Sequence, residues 1–141
     1  MRPPVIDMIG EMVGELTGKT IGQRVVHHHG RGLKIERTIE AKGKILGEEV
    51  TLLATFWSKD RPQGGMAAMG NGILMTAKGE KGVVKGVGIS VQPKGPGWNM
   101  RGARFMQTAS PALARLNNVV LVFEMDIAPD GTFRDKWWEW K

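Results

Sequence analysis

Twenty glycines and seven prolines cut this chain into short apolar or alternating stretches at intervals of roughly 10 to 15 residues, the spacing of an antiparallel all-β domain. Eight strands are expected, at approximately residues 20–29, 33–42, 45–58, 66–77, 81–91, 98–107, 119–127 and 132–140. The intervening segments are short, which favours pairing of consecutive strands. Closing such a meander removes the exposed edges that invite aggregation. The expected fold is therefore all-β: a single antiparallel up-and-down barrel of about eight strands.

Two helical pieces are expected beside the barrel. After Pro3 and Pro4, the residues Val5, Ile9, Met12, Val13 and Leu16 recur at helical spacing, so residues 1–17 are read as a short amphipathic helix plugging or capping a barrel of residues 18–141. In "TASPALARLNN", Ser110 is placed to cap and Pro111 to open one helical turn near residues 110–117, with Asn117 and Asn118 placed to end it.

Composition excludes several chemistries. The chain has no cysteine, hence no disulfide, no thiolate metal site and no Cys nucleophile. Asp7, Glu11 and Glu15 interrupt the N-terminal segment, which lacks the apolar run of a signal peptide or membrane span, so a cytoplasmic protein is expected. A formal charge of +6 invites a nucleic-acid reading. However, Lys and Arg are scattered through turns such as "AKGK" and "QPKGPG", with no basic run, so no specific nucleic-acid partner is expected.

The segments "RGARFMQTASPALARLNN", "VVLVFEMDIAPDG" and "KWWEWK" resemble a group of small, functionally uncharacterised prokaryotic proteins with a calycin-like (lipocalin-like) barrel. The similarity extends back through "GNGILMTAKGEKGVVKGVG" and covers most of the chain from about Gly18. It implies the fold, and it supplies no catalytic residue.

The triplet His27, His28, His29 sits in "RVVHHHGRGLKIE". In a strand His27 and His29 share one face, about 7 Å apart. A three-residue loop would set His27 opposite Ile35 and Val25 opposite Arg37, avoiding the Arg24–Arg37 pairing of a two-residue loop. His27 and His29 are thus weak candidates for a metal pair, with Glu124 or Glu139 as distant third ligands. The preferred reading is that they are hairpin-end residues satisfied by solvent and backbone, and no metal or cofactor is expected.

Cations at strand positions are more suggestive. Arg37 falls on the face of Leu33, Ile35, Ile39 and Ala41, and Lys85 on the face of Val83, Val87, Ile89 and Val91. A buried cation is costly unless paired. The two therefore mark either a polar part of a cavity or internal ion pairs with Glu124, Asp135 or Glu139. Five tryptophans and nine methionines line adaptable pockets well and also fill ordinary cores. Trp137 shares a face with Phe133, Asp135 and Glu139, which leaves Trp138 and Trp140 facing outward, in want of a partner subunit or the N-terminal helix as cover.

The glycines of "MGNGILM" and "KGVVKGVGIS" permit strand bending and form no phosphate loop. No nucleophile signature surrounds Ser58, Ser90 or Ser110, and no catalytic residue is assigned. The expected function is binding of a hydrophobic or amphipathic, anionic or neutral, small molecule within the barrel, contacted by Arg37, Lys85, Glu124, Trp57, Trp98 and Trp137. The alternatives are a barrel enzyme of isomerase or cyclase type and a structural or oligomeric interaction protein without a ligand.

Overall fold

A computed structural model describes residues 9–26, 34–91 and 95–141. Eight antiparallel strands follow in chain order: β1 (Ile9–Val26), β2 (Lys34–Ile45), β3 (Glu48–Asp60), β4 (Met66–Thr76), β5 (Lys81–Val91), β6 (Trp98–Thr108), β7 (Leu121–Ile127) and β8 (Thr132–Trp140). Each pairs with the next and β8 returns to β1, closing an up-and-down barrel as the punctuation of the sequence predicts. No helix among the described residues is long and apolar enough to cross a membrane.

The N-terminal segment departs from expectation. Residues 9–17 belong to β1, not to a helix. Pairing with β8 shifts between Ile9 and Met12 and again between Met12 and Gly14. A bulge inserts an extra residue and moves the side-chain alternation by one, so Val13 and Leu16, three apart, are both buried. That spacing imitates a helical period. A further shift between Thr20 and Gly22 places Gln23 opposite Arg37 and Val25 opposite Ile35, two residues from the expected register. The described pairing ends at Val26 and Lys34. His27, His29 and residues 1–8 lie outside the described residues.

One end of the barrel is shut. Leu113 and Leu116, on the segment that ends in a short 3₁₀ helix (Ala114–Asn118), are fully buried with Leu16, Ile45, Leu74 and Leu121. This segment fills that end. Ser110 does not cap it: its hydroxyl donates to Glu80 Oε1 at 3.0 Å, and its backbone carbonyl accepts from Leu113 N. Asn117 fastens the segment to β6 by accepting from Thr108 N and donating to Thr108 O, at 2.8 and 2.9 Å.

Along the middle of β4 and β5 the inward positions are small, Ala68, Gly70, Gly72, Gly86 and Gly88, with Leu74 and Val84 the larger buried residues, whereas Met69, Ile73, Val83, Val87 and Ile89 are exposed. At Gly86 and Gly88 a side chain would crowd its neighbours. A Cβ at Gly86 would lie 3.1 Å from Arg104 Cγ, and one at Gly88 would lie 3.1 Å from the Phe123 ring.

Candidate functional site

The lumen has two parts. At the end bordered by the β3–β4 and β7–β8 turns, a cavity of about 480 Å³ is walled by Ile39, Phe56, Met100, Met125, Trp98 and Phe133, with Arg37, Ser58, Thr20, Gln23 and Asp130 as its polar lining. Deeper in, a smaller cavity of about 70 Å³ shares Ile39, Phe56, Met100 and Met125 and reaches Arg104 and Phe123. The combination of apolar walls and few polar groups is that of small-molecule sites, and the mouth falls within their usual size range of about 300–1,000 Å³.

Arg37 reaches this mouth because β2 alternates it with Ile39 and Ala41 on the inward face. Its Nη1 donates to Ser58 Oγ at 2.8 Å. Among the described residues no carboxylate pairs with it. Burial alone pushes its pKa below the ordinary arginine value, the direction expected of a desolvated cation with no neutralising neighbour.

The three carboxylates expected to neutralise inward cations are engaged elsewhere. Glu124 pairs with Arg101 Nε at 3.3 Å on the outer face, and Glu139 pairs with Arg115 at 3.3 Å. Asp135 pairs with Arg104, at 2.6 Å between Nη1 and Oδ2, and this bridge is buried. Trp137 Nε1 donates to the same Oδ2 at 2.9 Å. The Arg104 guanidinium carbon lies 3.7 Å from the Phe123 ring centroid and 4.7 Å from that of Trp137, so the cation is held between two aromatic faces. Full burial pushes the Asp135 carboxyl above the ordinary carboxylate range, against the charge of Arg104 and both hydrogen bonds. Its Oδ1 is buried without a partner.

The six residues expected to contact a ligand therefore divide. Arg37 and Trp98 line the mouth, and Trp137 is fully buried beside the ion pair. Lys85, Glu124 and Trp57 lie on the outside: Lys85 is exposed opposite Asn71 and Phe105, and Trp57 has Lys34 Nζ at 4.9 Å from its ring. Lys85 fails the expectation because the apolar alternation of β5 marks the outer surface rather than the lumen. Arg104 was not singled out by the sequence reading, yet it shares an alternating face with Met100 and Met106, the signal that singled out Arg37. No group of three or more His, Asp or Glu side chains among the described residues is arranged to hold a metal ion.

No protein-family model and no curated protein matches the chain. Solved structures do. A protein of unknown function from Clostridium acetobutylicum ATCC 824 superposes with a TM-score of 0.81 at 16% identity, over 97% of this chain and 100% of that one. A β-barrel-like protein from Acinetobacter baumannii AYE gives 0.79 at 13% identity, over 98% of each chain. An enzyme from Penicillium herquei gives 0.70 at 15% identity, over 98% of this chain and 99% of that one. At such identities the likeness is one of fold, shared with a protein of unknown function, a β-barrel-like protein and a protein described as an enzyme.

Proposed function

We propose that the protein is a cytoplasmic, calycin-like barrel that binds an amphipathic small molecule, with an anionic or hydrogen-bond-accepting group at Arg37 and an apolar body along the lumen. The observation that carries this reading is the Arg37 guanidinium, half-buried in an apolar-walled mouth and held by Ser58 without a carboxylate. A cation kept in that state costs stability unless something neutralises it, and an anionic ligand would. Trp98 lies at the same mouth and offers an indole to the ligand's apolar part.

The test uses 1-anilinonaphthalene-8-sulfonate as a stand-in amphipathic anion, titrated by fluorescence into wild type, Arg37→Met and Arg37→Lys. Losing a charge-assisted hydrogen bond of about 1.5–3 kcal/mol should weaken binding by roughly 10- to 150-fold in Arg37→Met, with partial retention in Arg37→Lys. Arg37→Met should also raise stability slightly, by about 0.5 kcal/mol, because the guanidinium is only half-buried and partly screened by water. Equal affinity in wild type and Arg37→Met would refute the assignment.

A second reading, a barrel enzyme, draws on Asp135, a buried carboxyl of raised pKa with an unpartnered oxygen, and on the fungal enzyme of like fold. It ranks second because Asp135 borders neither cavity, whereas Arg104 borders the inner one. Chemical change in a compound that co-purifies with the protein, seen on incubation, would promote it.

A further inference from the structure

The two parts of the lumen carry two arginines in opposite electrostatic situations. Arg37, at the mouth, donates to Ser58 and pairs with no carboxylate among the described residues, and Asp130, the carboxylate of the mouth's lining, is bound to Thr132 in its own turn. Arg104, at the inner cavity, is already neutralised by Asp135 at 2.6 Å. An anion entering the lumen is therefore held at Arg37, whereas at Arg104 it would lie beside a buried carboxylate.

Arg104 nevertheless has hydrogen-bonding capacity to spare. A guanidinium offers five N–H donors, all in its plane, and among the described residues one bond uses them, from Nη1 to Asp135. Phe123 and Trp137 lie against the flat faces of the group, so a further partner reaches it edge-on. The side chain keeps 10% of its surface accessible. Its Nε lies 3.7 Å from where a Cβ of Gly86 would stand, and both residues line the inner cavity. The other polar residues of that lining, Thr55 and Asn71, alternate with inward Ala54, Phe56, Gly70 and Gly72 and so stand at outward positions. The inner cavity thus presents a donor edge without an acceptor, on a cation whose charge is already met.

Between the two arginines the lumen is apolar. Ile39, Phe56, Met100 and Met125 border both cavities and form the passage from one to the other. From this arrangement we infer that the ligand is two-headed: an anionic group at Arg37, an apolar middle along the passage, and at its inner end an uncharged planar acceptor, a ketone or ester carbonyl, received edge-on by Arg104. The inference rests on Arg37 as the anion site and adds the chemical class, an oxo acid rather than a plain fatty acid or a dianion. The inner cavity, about 70 Å³, is sized for a small terminal acyl group.

Isothermal titration calorimetry of 5-oxohexanoate, 7-oxooctanoate and 9-oxodecanoate against hexanoate, octanoate and decanoate tests it. A carbonyl buried without a donor weakens binding, so the sign of the difference is diagnostic. At the chain length that spans the two arginines, the oxo acid should bind roughly 10-fold tighter than its plain counterpart. Arg37→Met should weaken both members of that pair together and keep their ratio. Arg104→Lys, which leaves Asp135 a cation but removes the planar fork, should abolish the ratio. Should Arg104→Lys not fold, the infrared stretch of a carbon-13-labelled ketone bound to wild type decides: below its position in hexane if Arg104 donates, at that position if not. Plain acids that bind through Arg37 while no oxo acid binds tighter would overturn this inference and leave the reading of the mouth intact. A ratio lost in Arg37→Met would overturn it too, because the ketone would then lie at the mouth. Binding of neither series, or binding indifferent to Arg37→Met, would remove the reading of the mouth and this inference with it.

Discussion

Arg104→Met probes the buried ion pair that organises the closed half of the lumen. In the native barrel the Arg104 guanidinium donates to Asp135 at 2.6 Å and lies between Phe123 and Trp137. The substitution removes a desolvated cation–π contact of about 2 kcal/mol and a charged hydrogen bond of about 1.5–3 kcal/mol. Met returns part of the apolar contact. The expected loss is therefore about 3–5 kcal/mol, the usual cost of breaking one side of a buried pair. Asp135 makes that loss depend on pH. Its folded-state pKa already lies above the unfolded value because of burial, so the folded state holds the proton more tightly and stability falls as pH rises from the ordinary carboxylate range toward the folded value. Without Arg104 the folded pKa rises further, and the fall continues to higher pH. Urea unfolding followed by tryptophan fluorescence should thus give a larger destabilisation at pH 8 than at pH 4.5. The double variant Arg104→Met, Asp135→Asn should be less destabilised than the two single losses added together. A loss below about 1 kcal/mol that does not vary with pH would refute the reasoning.

Three further substitutions test how closely the strands approach and how a turn is fixed. A Cβ at Gly102 would lie 1.9 Å from Val87 O and 2.6 Å from Gly88 Cα, whereas one at Gly22 would meet nothing within 4 Å. Gly102→Ala should therefore cost about 3 kcal/mol or fail to fold, while Gly22→Ala changes urea stability by less than about 0.5 kcal/mol. At the β7–β8 turn, Asp130 Oδ1 accepts from Thr132 N at 3.0 Å and Thr132 Oγ1 at 2.6 Å. These bonds pull its pKa below the ordinary carboxylate value, so their contribution is present above that range and is lost as pH falls through the depressed pKa. Amide exchange at Thr132 should accelerate in Asp130→Asn, and the excess over wild type should vanish once both are measured at acid pH.

The barrel was legible because turn residues and strand-length apolar runs alternate along almost the whole chain, a pattern that fixes element type before any contact is known. Arg37 was legible for a related reason: on β2 the apolar alternation and the inward face coincide, and the cation stands out against Ile39 and Ala41. Residues 9–17 were misread because bulges against β8 convert an alternating pattern into a spacing of three, which a sequence offers equally to a helix. The partners of Arg104 and Asp135 were illegible. They lie 31 residues apart on strands β6 and β8, with β7 between them, and only closure of the barrel brings their side chains together.

Lys85 shows the deeper limit of reading inside from outside. Alternation says that a strand has two unlike faces, and it assigns the apolar one to the core only if the core has room. At Gly86 and Gly88 of β5 the inward space is taken by side chains of the neighbouring strands, Arg104 and Met100 on β6 and Phe123 on β7, so glycine stands there, while Leu74 and Val84 fill the inward face elsewhere on the two strands. Met69, Ile73, Val83, Val87 and Ile89 of the same strands stand outward. Filling the lumen with a guanidinium stacked on aromatics and leaving an apolar face outside are thus two consequences of one packing choice. Enlarging Gly86 or Gly88 should disturb the Arg104–Asp135 pair first, before it alters the outer surface.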